Sequence, residues 1–473
     1  MAKNIKYRKN QTIGDWKLSY KLGSGGNGEV WSVKDGNDSY AIKLLKKIRP
    51  TIYNRFRSEV EAMEKNQDIS GVIPLVDKFL PEDVGDQVPW FVMPQAIKFS
   101  EWRKGKTVLE IVEGMLGLAN TLHQLHQREF HHRDIKPANI LFLKNRLFLS
   151  DFGLVKYPGR IDITKEGGDV GPKFTMAPEM RRYANEADGE KADIYSFAKT
   201  LWIAIVGDMK CFDGQYSPLS VISINSVCGG LYTKSLHDLL TECTDNSPDK
   251  RPGMKDVISR IEGWLRINND FHEQNITEWF DLQNALFPAG SPESVIWRDC
   301  ENIITVLNEI SRVDGLNHAF LPGGGGSTFV GAERAKEKGM IAVKVSERLY
   351  YYLKPKKLTY ESFGLHPQWN YFRMEAEEIE STNTYENDSL ISPYEELVEI
   401  DSGKYVERFN WDEGEFDGEP LPEQARLICR YLRGSFVIFS TRSIYNLVPD
   451  TYDGRHDTMS EQEFRTYIES NAS

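Results

Sequence analysis

The spacing of hydrophobic positions predicts two regions of different architecture in the first half of the chain. Before about residue 100, short β-branched and aliphatic runs are separated by polar turns, as is typical of strands. The stretch 52–66 instead places Phe56, Val60 and Met63 on one face of a helix. The predicted strands are 16–22, 30–34, 39–45, 71–79 and 90–94.

Helical spacing takes over at about residue 108. One short strand is predicted within this region, at 148–152. The pattern therefore predicts an α+β arrangement, β-rich over about residues 10–96 and helical over about 97–267. The predicted helices are 109–127, 193–206, 236–243 and 254–267.

The polar stretch 268–274 predicts a domain boundary, followed by a mixed α/β domain of unknown fold over 275–473. A capping box at 460–463 predicts that a last helix begins there. The other elements predicted beyond the boundary are helices at 278–286 and 292–312, strand-like runs at 341–352 and 436–445, and a flexible turn at 322–327.

The charge and hydropathy of the chain bear on whether it binds nucleic acid or a membrane. The 473 residues carry a net charge of −12, which disfavours a chain built to coat nucleic acid or an anionic membrane. No apolar run approaches the roughly 18 residues that span a bilayer, and the basic first residues precede no apolar segment. We therefore expect a cytoplasmic protein without a nucleic-acid or membrane partner.

The segment FHHRDIKPANIL places Asp134, Lys136 and Asn139 within an apolar frame, and Asp151 follows a predicted strand. Carboxylate and amide oxygens suit Mg²⁺ and phosphate rather than zinc. Asp134 can orient a hydroxyl proton, and Lys136 can neutralise a phosphoryl group. These groups indicate phosphoryl transfer, which needs positioning, a metal and positive charge.

Two further features lie in the β-rich region, and each has an ordinary alternative. Gly23, Gly25 and Gly28 fit GxGxxG, which lets a backbone approach phosphates but also occurs in plain hairpin turns. Lys43 lies in an apolar strand, where it needs an anionic partner such as Glu59 unless it reaches solvent at a sheet edge.

Five motifs in order, GSGGNGEV, AIK, HRDIKPAN, DFG and APE, resemble the protein kinase signature set. Over about residues 10–267 the chain resembles the eukaryotic-type Ser/Thr protein kinases, and within them a bacterial member. The resemblance implies a bilobal kinase fold. No family is recognised in the region 275–473.

The resemblance implies an ATP site. Its glycine loop would cover the phosphates, and Lys43 would hold the α- and β-phosphates while pairing with Glu59. Met93 would guard the back of the pocket, in front of the hinge. The nucleotide-binding residues implied are Gly23, Gly25, Gly28, Val30, Ala41, Lys43, Met93, Pro94, Ala96 and Leu141.

The resemblance also implies the catalytic roles. Asp134 would be the base and Lys136 the γ-phosphate contact, a lysine that Ser/Thr kinases keep. Asn139 and Asp151 would bind Mg²⁺, with Mn²⁺ as an alternative. The implied partners are protein substrates, including a second copy of the chain through autophosphorylation in trans.

Further residues implied by the resemblance concern support and control. His132, Phe152 and Met63 would form a stacked apolar spine. Glu179 would pair with Arg251, and Asp193 would support the catalytic loop. Arg133 before the catalytic Asp makes Thr164 a candidate phosphorylation site, although the loop can also be ordered without phosphate.

Two departures keep other hypotheses open. Pro172 and Thr175 replace the Thr and Tyr that the family carries before APE, and that Thr usually bridges the catalytic Asp and Lys. A pseudokinase scaffold and a small-molecule kinase remain alternatives. We expect the C-terminal region to regulate the kinase domain or to recognise its substrate. The resemblance also implies a role in bacterial stress responses or phage defence.

Overall fold

A computed structural model describes most of the chain. Its contacts divide the protein into two compact units, residues 1–268 and 269–473. Among the described residues, no helix is long and apolar enough to cross a membrane. The described residues are 5–25, 28–47, 49–82, 87–158, 174–181, 184, 186–208, 210–313, 315–320, 326–335, 338–346, 349–364, 369–377, 396–401, 404–406, 409–410, 413–416, 418–429, 434–440 and 459–472.

A five-stranded antiparallel sheet opens the first unit, with strand order β3-β4-β5-β7-β6. The two-residue turn between β4 and β5 contains Gly36 at φ +56°, a conformation that glycine adopts without a Cβ clash. A separate pair, β1 and β2, precedes the sheet. The strands are β1 Thr12–Ile13, β2 Trp16–Lys17, β3 Lys21–Ser24, β4 Gly28–Asp35, β5 Asp38–Leu45, β6 Asp77–Phe79 and β7 Trp90–Pro94.

Helix α1, Pro50–Lys65, packs against this sheet. Proline at its first position costs nothing, because that N–H has no intrahelical partner. Phe56 and Phe91 meet with ring centroids 5.2 Å apart, and Val60 and Met63 are fully buried in the same core. The predicted helix is confirmed, and its buried face fixes α1 over the site.

The rest of the first unit is mainly helical, and its helix ends follow from the sequence. Thr107 and Glu110 cap α3 reciprocally, and the Asp188 side chain caps α4. Gly207, at φ +85°, ends α4. The elements are β8 Ile97–Lys98, α2 Phe99–Trp102, α3 Val108–Gln127, β9 Ile140–Leu143, β10 Arg146–Leu149, α4 Gly189–Val206, α5 Lys234–Cys243 and α6 Met254–Asn269.

Three strand predictions in this unit were wrong in extent. The stretch 16–22 divides into β2 and the start of β3, which belong to separate sheets. The stretch 71–79 forms a strand only at Asp77–Phe79, because Val72 makes an isolated bridge to Leu149 instead. The strand predicted at 148–152 is β10, which ends at Leu149, and Phe152 begins a 3-10 turn. The predicted order of a β-rich lobe and then a helical lobe is confirmed.

The second unit contains both helices and sheets, so the predicted mixed α/β character is confirmed. Two six-stranded sheets have the orders β11-β17-β18-β25-β12-β13 and β14-β15-β16-β24-β19-β20, and β21-β22-β23 form a smaller sheet. The elements are α7 Phe271–Leu286, β11 Ser294–Trp297, α8 Cys300–Ser311, β12 His318–Phe320, β13 Gly326–Thr328, β14 Gly331–Arg334, β15 Ile341–Lys344, β16 Leu349–Leu353, β17 Pro355–Glu361, β18 Tyr371–Ala376, β19 Glu396–Asp401, β20 Lys404–Val406, β21 Phe409–Asn410, β22 Glu415–Phe416, β23 Glu419–Pro420, β24 Arg426–Cys429, β25 Ser435–Phe439 and α9 Glu461–Ala472.

The structure corrects two helix predictions in the second unit. The helix predicted at 278–286 begins earlier, at Phe271, where the Asp270 side chain caps it. The helix predicted at 292–312 divides into β11 and α8, because Ser294–Trp297 pairs with β17. The capping box at Ser460 and Glu463 is confirmed at the start of α9. Residues 322–325 and 441–445 of the predicted turn and strand lie outside the described residues.

Candidate active site

Strand β5, helix α1 and the DFG segment bring three charged side chains together. Lys43 Nζ donates to Glu59 Oε1 at 2.6 Å and to Asp151 Oδ1 at 3.1 Å. Glu59 is buried, whereas the Asp151 side chain is 46% exposed. The partner expected for Lys43 is therefore the one that the structure shows, together with a second carboxylate.

The electrostatics of this triad keep the lysine charged. Burial opposes the charge on Lys43, but the carboxylates of Asp151 and Glu59 outweigh it and raise the lysine pKa. Burial raises the pKa of Glu59, and Lys43 opposes that rise. The adjacent Lys43 ammonium lowers the pKa of Asp151, so this carboxylate stays ionised.

The loop between α3 and β9 presents the second group of functional side chains. Lys136 Nζ donates to both carboxylate oxygens of Asp134 at 2.9 Å. Asn139 Nδ2 donates to Asp134 Oδ2 at 2.8 Å and to its backbone carbonyl at 2.8 Å. Burial raises the pKa of Asp134, and the Lys136 ammonium opposes the rise. The acid is thus oriented from two sides.

Helix α4 holds this loop in place through the side chain of Asp193. Asp193 accepts hydrogen bonds at 2.7 Å from the backbone N–H groups of His132 and Arg133. His126 Nε2 lies 3.0 Å from the same carboxylate. These contacts outweigh burial and lower the pKa of Asp193. The Arg133 guanidinium donates to the carbonyl oxygen of Ala184 at 2.6 Å.

A cavity of about 730 Å³ lies between the two lobes of the first unit, and its lining brings together nearly all the predicted site residues. Its volume is within the range of small-molecule sites. Lys136 lies beside the cavity through its contact with Asp134. The predicted residues in the lining are Gly23, Gly25, Gly28, Val30, Ala41, Lys43, Glu59, Met93, Pro94, Ala96, Asp134, Asn139, Leu141 and Asp151.

The glycine-rich turn joins β3 and β4 at the mouth of this cavity. Gly25 N donates to the carbonyl oxygen of Gly28 at 3.0 Å, which closes the turn. A Cβ on Gly28 would lie 3.0 Å from the carbonyl oxygen of Leu44, so glycine permits close approach of β4 and β5 there. Gly26 and Asn27 lie outside the described residues.

The donor set fits a divalent cation shared with a phosphate ligand. Asp151 supplies an ionised carboxylate and Asn139 an amide, which are oxygen donors of the kind that Mg²⁺ prefers. Among the described residues, no group of three or more His, Cys, Asp or Glu could hold a metal. Two protein ligands agree with a cation that takes its other ligands from phosphates and water.

The supporting contacts inferred from the resemblance are also formed. Arg251 donates to both carboxylate oxygens of Glu179, at 2.6 and 3.0 Å, and its side chain is fully buried. The rings of His132 and Phe152 lie 4.8 Å apart, and Met63 is buried in the same core as Phe152. Thr164 and Pro172 lie outside the described residues.

Sequence reasoning missed two contacts of the site. The Thr175 hydroxyl donates at 2.8 Å to the carbonyl oxygen of Ile135, between Asp134 and Lys136. The Tyr157 hydroxyl donates at 2.8 Å to Glu61 on α1. Both join residues at least 40 positions apart, so no local spacing signals them.

The known proteins that are similar in sequence to this chain include several protein kinases. Serine/threonine-protein kinases PknA of Corynebacterium glutamicum is 29% identical over 215 residues, which cover 40% of this chain and 43% of that protein. Dual specificity protein kinase shkB of Dictyostelium discoideum is 27% identical over 257 residues, 50% of this chain and 38% of its own length. Serine/threonine-protein kinase STY17 of Arabidopsis thaliana is 24% identical over 269 residues, 54% of this chain and 45% of its own.

These relatives resemble the chain over less than half of their own length. A family model described as the protein kinase domain matches residues 16–261, more than half of the 473 residues. This range contains most of both lobes of the first unit and every side chain assigned to the candidate site. The predicted kinase fold is confirmed, and the chain belongs to the protein kinase domain family.

Proposed function

We propose that this protein transfers the γ-phosphate of ATP to Ser or Thr hydroxyl groups of proteins, itself included. The observation that carries the proposal is the convergence of Lys43, Asp134 and Asp151 at one cavity beneath a glycine-rich turn. Loss of one of these groups would mark a pseudokinase, and the chain keeps all three.

Nucleotide binding is assigned to the upper part of the cavity. Val30, Ala41 and Leu141 would enclose the adenine, and the backbone of Pro94 and Ala96 would bond its edge. Proline offers only a carbonyl acceptor there. Lys43 would bind the α- and β-phosphates while Glu59 holds the ammonium in place.

Asn139 and Asp151 would hold Mg²⁺, or Mn²⁺ in its place. When bound, the metal neutralises charge on the phosphate oxygens. Asp134 would accept the proton of the substrate hydroxyl, since it lies at the cavity as a partly desolvated carboxylate. Lys136, bonded to both oxygens of Asp134, would contact the transferred phosphoryl group.

Several finer assignments remain proposals. They are the domain limits 10–267 and 275–473, a regulatory or recognition role for the C-terminal region, and phosphorylation of Thr164 in trans. A cytoplasmic location is proposed from the sequence composition, and a role in bacterial stress or phage defence is proposed on the resemblance alone.

The test is transfer of labelled γ-phosphate from ATP–Mg²⁺ to the protein itself and to a generic basic protein. Wild type should incorporate phosphate on Ser and Thr, while Asp134→Asn and Lys43→Met should fall by roughly a hundredfold or more. Lys104→Met is the matched control, because Lys104 is 71% exposed and pairs with Glu101.

Calorimetric titration with ATP–Mg²⁺ distinguishes the alternatives. A wild type that binds ATP but transfers no more phosphate than Asp134→Asn would support a scaffold and overturn the proposal. Transfer to aminoglycosides or choline but not to protein would support a small-molecule kinase. Phosphopeptide mapping then reports which hydroxyls are modified.

A further inference from the structure

Tyr157 lies just beyond the DFG segment, and its side chain contacts residues that the proposed function does not use. Its hydroxyl donates to Glu61 Oε2 at 2.8 Å. Its ring stacks on Phe130 with centroids 4.8 Å apart and planes 14° apart. Lys65 Nζ lies 4.6 Å from the ring centroid. Glu61 and Lys65 both belong to α1, so Tyr157 joins that helix to Phe130 at the start of the catalytic loop.

The backbone beside Tyr157 is fixed independently of these side chains. Lys156 and His131 exchange two hydrogen bonds of 2.9 Å in an antiparallel bridge. The Tyr157 side chain is buried, with the residue 7% exposed. The backbone that carries the ring is therefore fixed to the helical lobe, while the ring and its hydroxyl contact α1 of the β-rich lobe.

Helix α1 carries the site glutamate on another side. Glu59 and Glu61 are two positions apart, about 200° around a helix with 3.6 residues per turn. Glu59 contacts Lys43 at 2.6 Å, and Glu61 contacts Tyr157. Since α1 is one continuous helix, a contact on one of its sides constrains the position of the other side.

We propose that Tyr157 is a positioning residue for the active site, holding α1 through Glu61 so that Glu59 reaches Lys43. The inference rests on the proposed kinase function, and it adds a residue that acts through the Lys43–Glu59 pair without touching the nucleotide. A hydrogen bond to a carboxylate is stronger than one between neutral groups, so the Tyr157 hydroxyl can hold α1 in position through Glu61. A shift of α1 by an ångström or two would break the 2.6 Å contact.

The test compares Tyr157→Phe, Glu61→Ala and the double variant in the full-length protein. Each single change should lower kcat roughly five- to tenfold, the range of a modest coupling between sites. Together they should lower it no further than Glu61→Ala alone, because both remove the same hydrogen bond. Glu61→Ala also removes an ion pair with Arg57 on the same helix, at 3.5 Å, but both side chains of that pair are exposed and it should contribute little. Glu61→Gln keeps an acceptor oxygen and should retain most of the kcat.

Tyr216→Phe is the matched control. Tyr216 is also buried, and its hydroxyl lies 2.8 Å from His237 Nδ1 in the helical lobe. Removing that hydroxyl should lower thermal stability without the loss of kcat. Hydrogen–deuterium exchange should rise in residues 50–65 for Tyr157→Phe and stay at the wild-type level for Tyr216→Phe.

Two outcomes would overturn the inference. One is an unchanged kcat and unchanged exchange over residues 50–65 in Tyr157→Phe; the other is full additivity of the two single variants. A wild type without kinase activity would instead refute the proposed function, and the exchange of α1 would still report whether Tyr157 holds the helix.

Discussion

The carboxylate of Asp193 accepts a 2.7 Å hydrogen bond from the backbone N–H of Arg133, a residue held at φ +65°. A left-handed backbone at a residue other than glycine costs on the order of 1–3 kcal/mol and persists where the surroundings impose it. Asp193 lies fully buried on α4, so a rigid helix imposes the conformation. The loop that carries Asp134 thus takes its shape from a side chain about sixty residues later.

Asp193→Asn should lower both kcat and stability. The amide keeps one acceptor oxygen, but its NH₂ group faces a second backbone donor, so one N–H of His132 or Arg133 loses its partner. An unsatisfied buried donor costs about 1–3 kcal/mol. Steady-state kinetics should show a kcat loss of roughly tenfold or more. Asp249→Asn, at an exposed position, should leave kcat unchanged.

The pH dependence of transfer should report on Asp134. Burial raises the pKa of this carboxyl, so the ionised base is lost as pH falls, at a higher pH than an aspartate with a pKa of about 3.9. Lys136 opposes that rise, so Lys136→Met should move the acidic limb of kcat/KM to higher pH. Lys104→Met should leave the limb in place, and a shift to lower pH in Lys136→Met would contradict the role of the lysine.

Breaking the buried Arg251–Glu179 pair should destabilise the first unit more than breaking an exposed pair. Arg251→Ala leaves a carboxylate without its bidentate partner, which costs about 3–5 kcal/mol. Arg251→Lys should recover little of this, because lysine lacks the planar fork. Arg260→Ala removes a more exposed contact to Glu242 and should cost about 1 kcal/mol or less in urea unfolding.

Thr175 should take part in fixing the catalytic loop. Its hydroxyl bonds the carbonyl oxygen of Ile135, and its own carbonyl accepts a 2.8 Å hydrogen bond from Ser196 on α4. Thr175→Val keeps the shape and removes the hydroxyl, so kcat should fall by roughly tenfold. Thr175→Ser restores the donor and should recover most of the rate; equal losses in both variants would point to packing alone.

Lys199→Met should stabilise the protein at pH 7. Burial lowers the pKa of Lys199 to about 8, although its Nζ donates to the carbonyl oxygen of Phe212 at 2.6 Å. The folded-state pKa lies below the unfolded value, so the charged lysine opposes folding below about pH 8, and this penalty fades as pH rises toward 10.5.

The gain of Lys199→Met should therefore be about 1–2 kcal/mol at pH 7, because loss of the hydrogen bond to the Phe212 carbonyl offsets part of the burial penalty, and it should be smaller at pH 9.5. Calorimetry of the full chain at the two pH values measures it. The exposed Lys250→Met should change neither value, and a gain that grows with pH would contradict the assignment.

Much of the site could be predicted because its parts lie in short segments. Asp134, Lys136 and Asn139 share one loop, and their spacing together with the DFG and glycine motifs indicated phosphoryl transfer. The caps at Thr107 and Asp188 are equally local, since each bonds an amide three residues away, yet the helix predicted to begin at residue 193 begins at Gly189.

Other features depended on distant partners. The hydrophobic pattern of 292–312 predicted one helix, yet residues 294–297 form a strand because β17 supplies its hydrogen bonds. Tyr157 meets Glu61 across 96 positions, and nothing near either residue indicates the other.

The sequence by itself determined the order of the two lobes, the family and most of the residues that line the cavity. Local periodicity records which face of an element is buried, and motif spacing records which groups share a loop. The tertiary structure alone decided that Asp151 also accepts a hydrogen bond from Lys43, at 3.1 Å, and that the Thr175 hydroxyl bonds the carbonyl oxygen of Ile135. Such contacts form when the chain closes long loops around an apolar core, and their partners are chosen by packing rather than by spacing along the sequence.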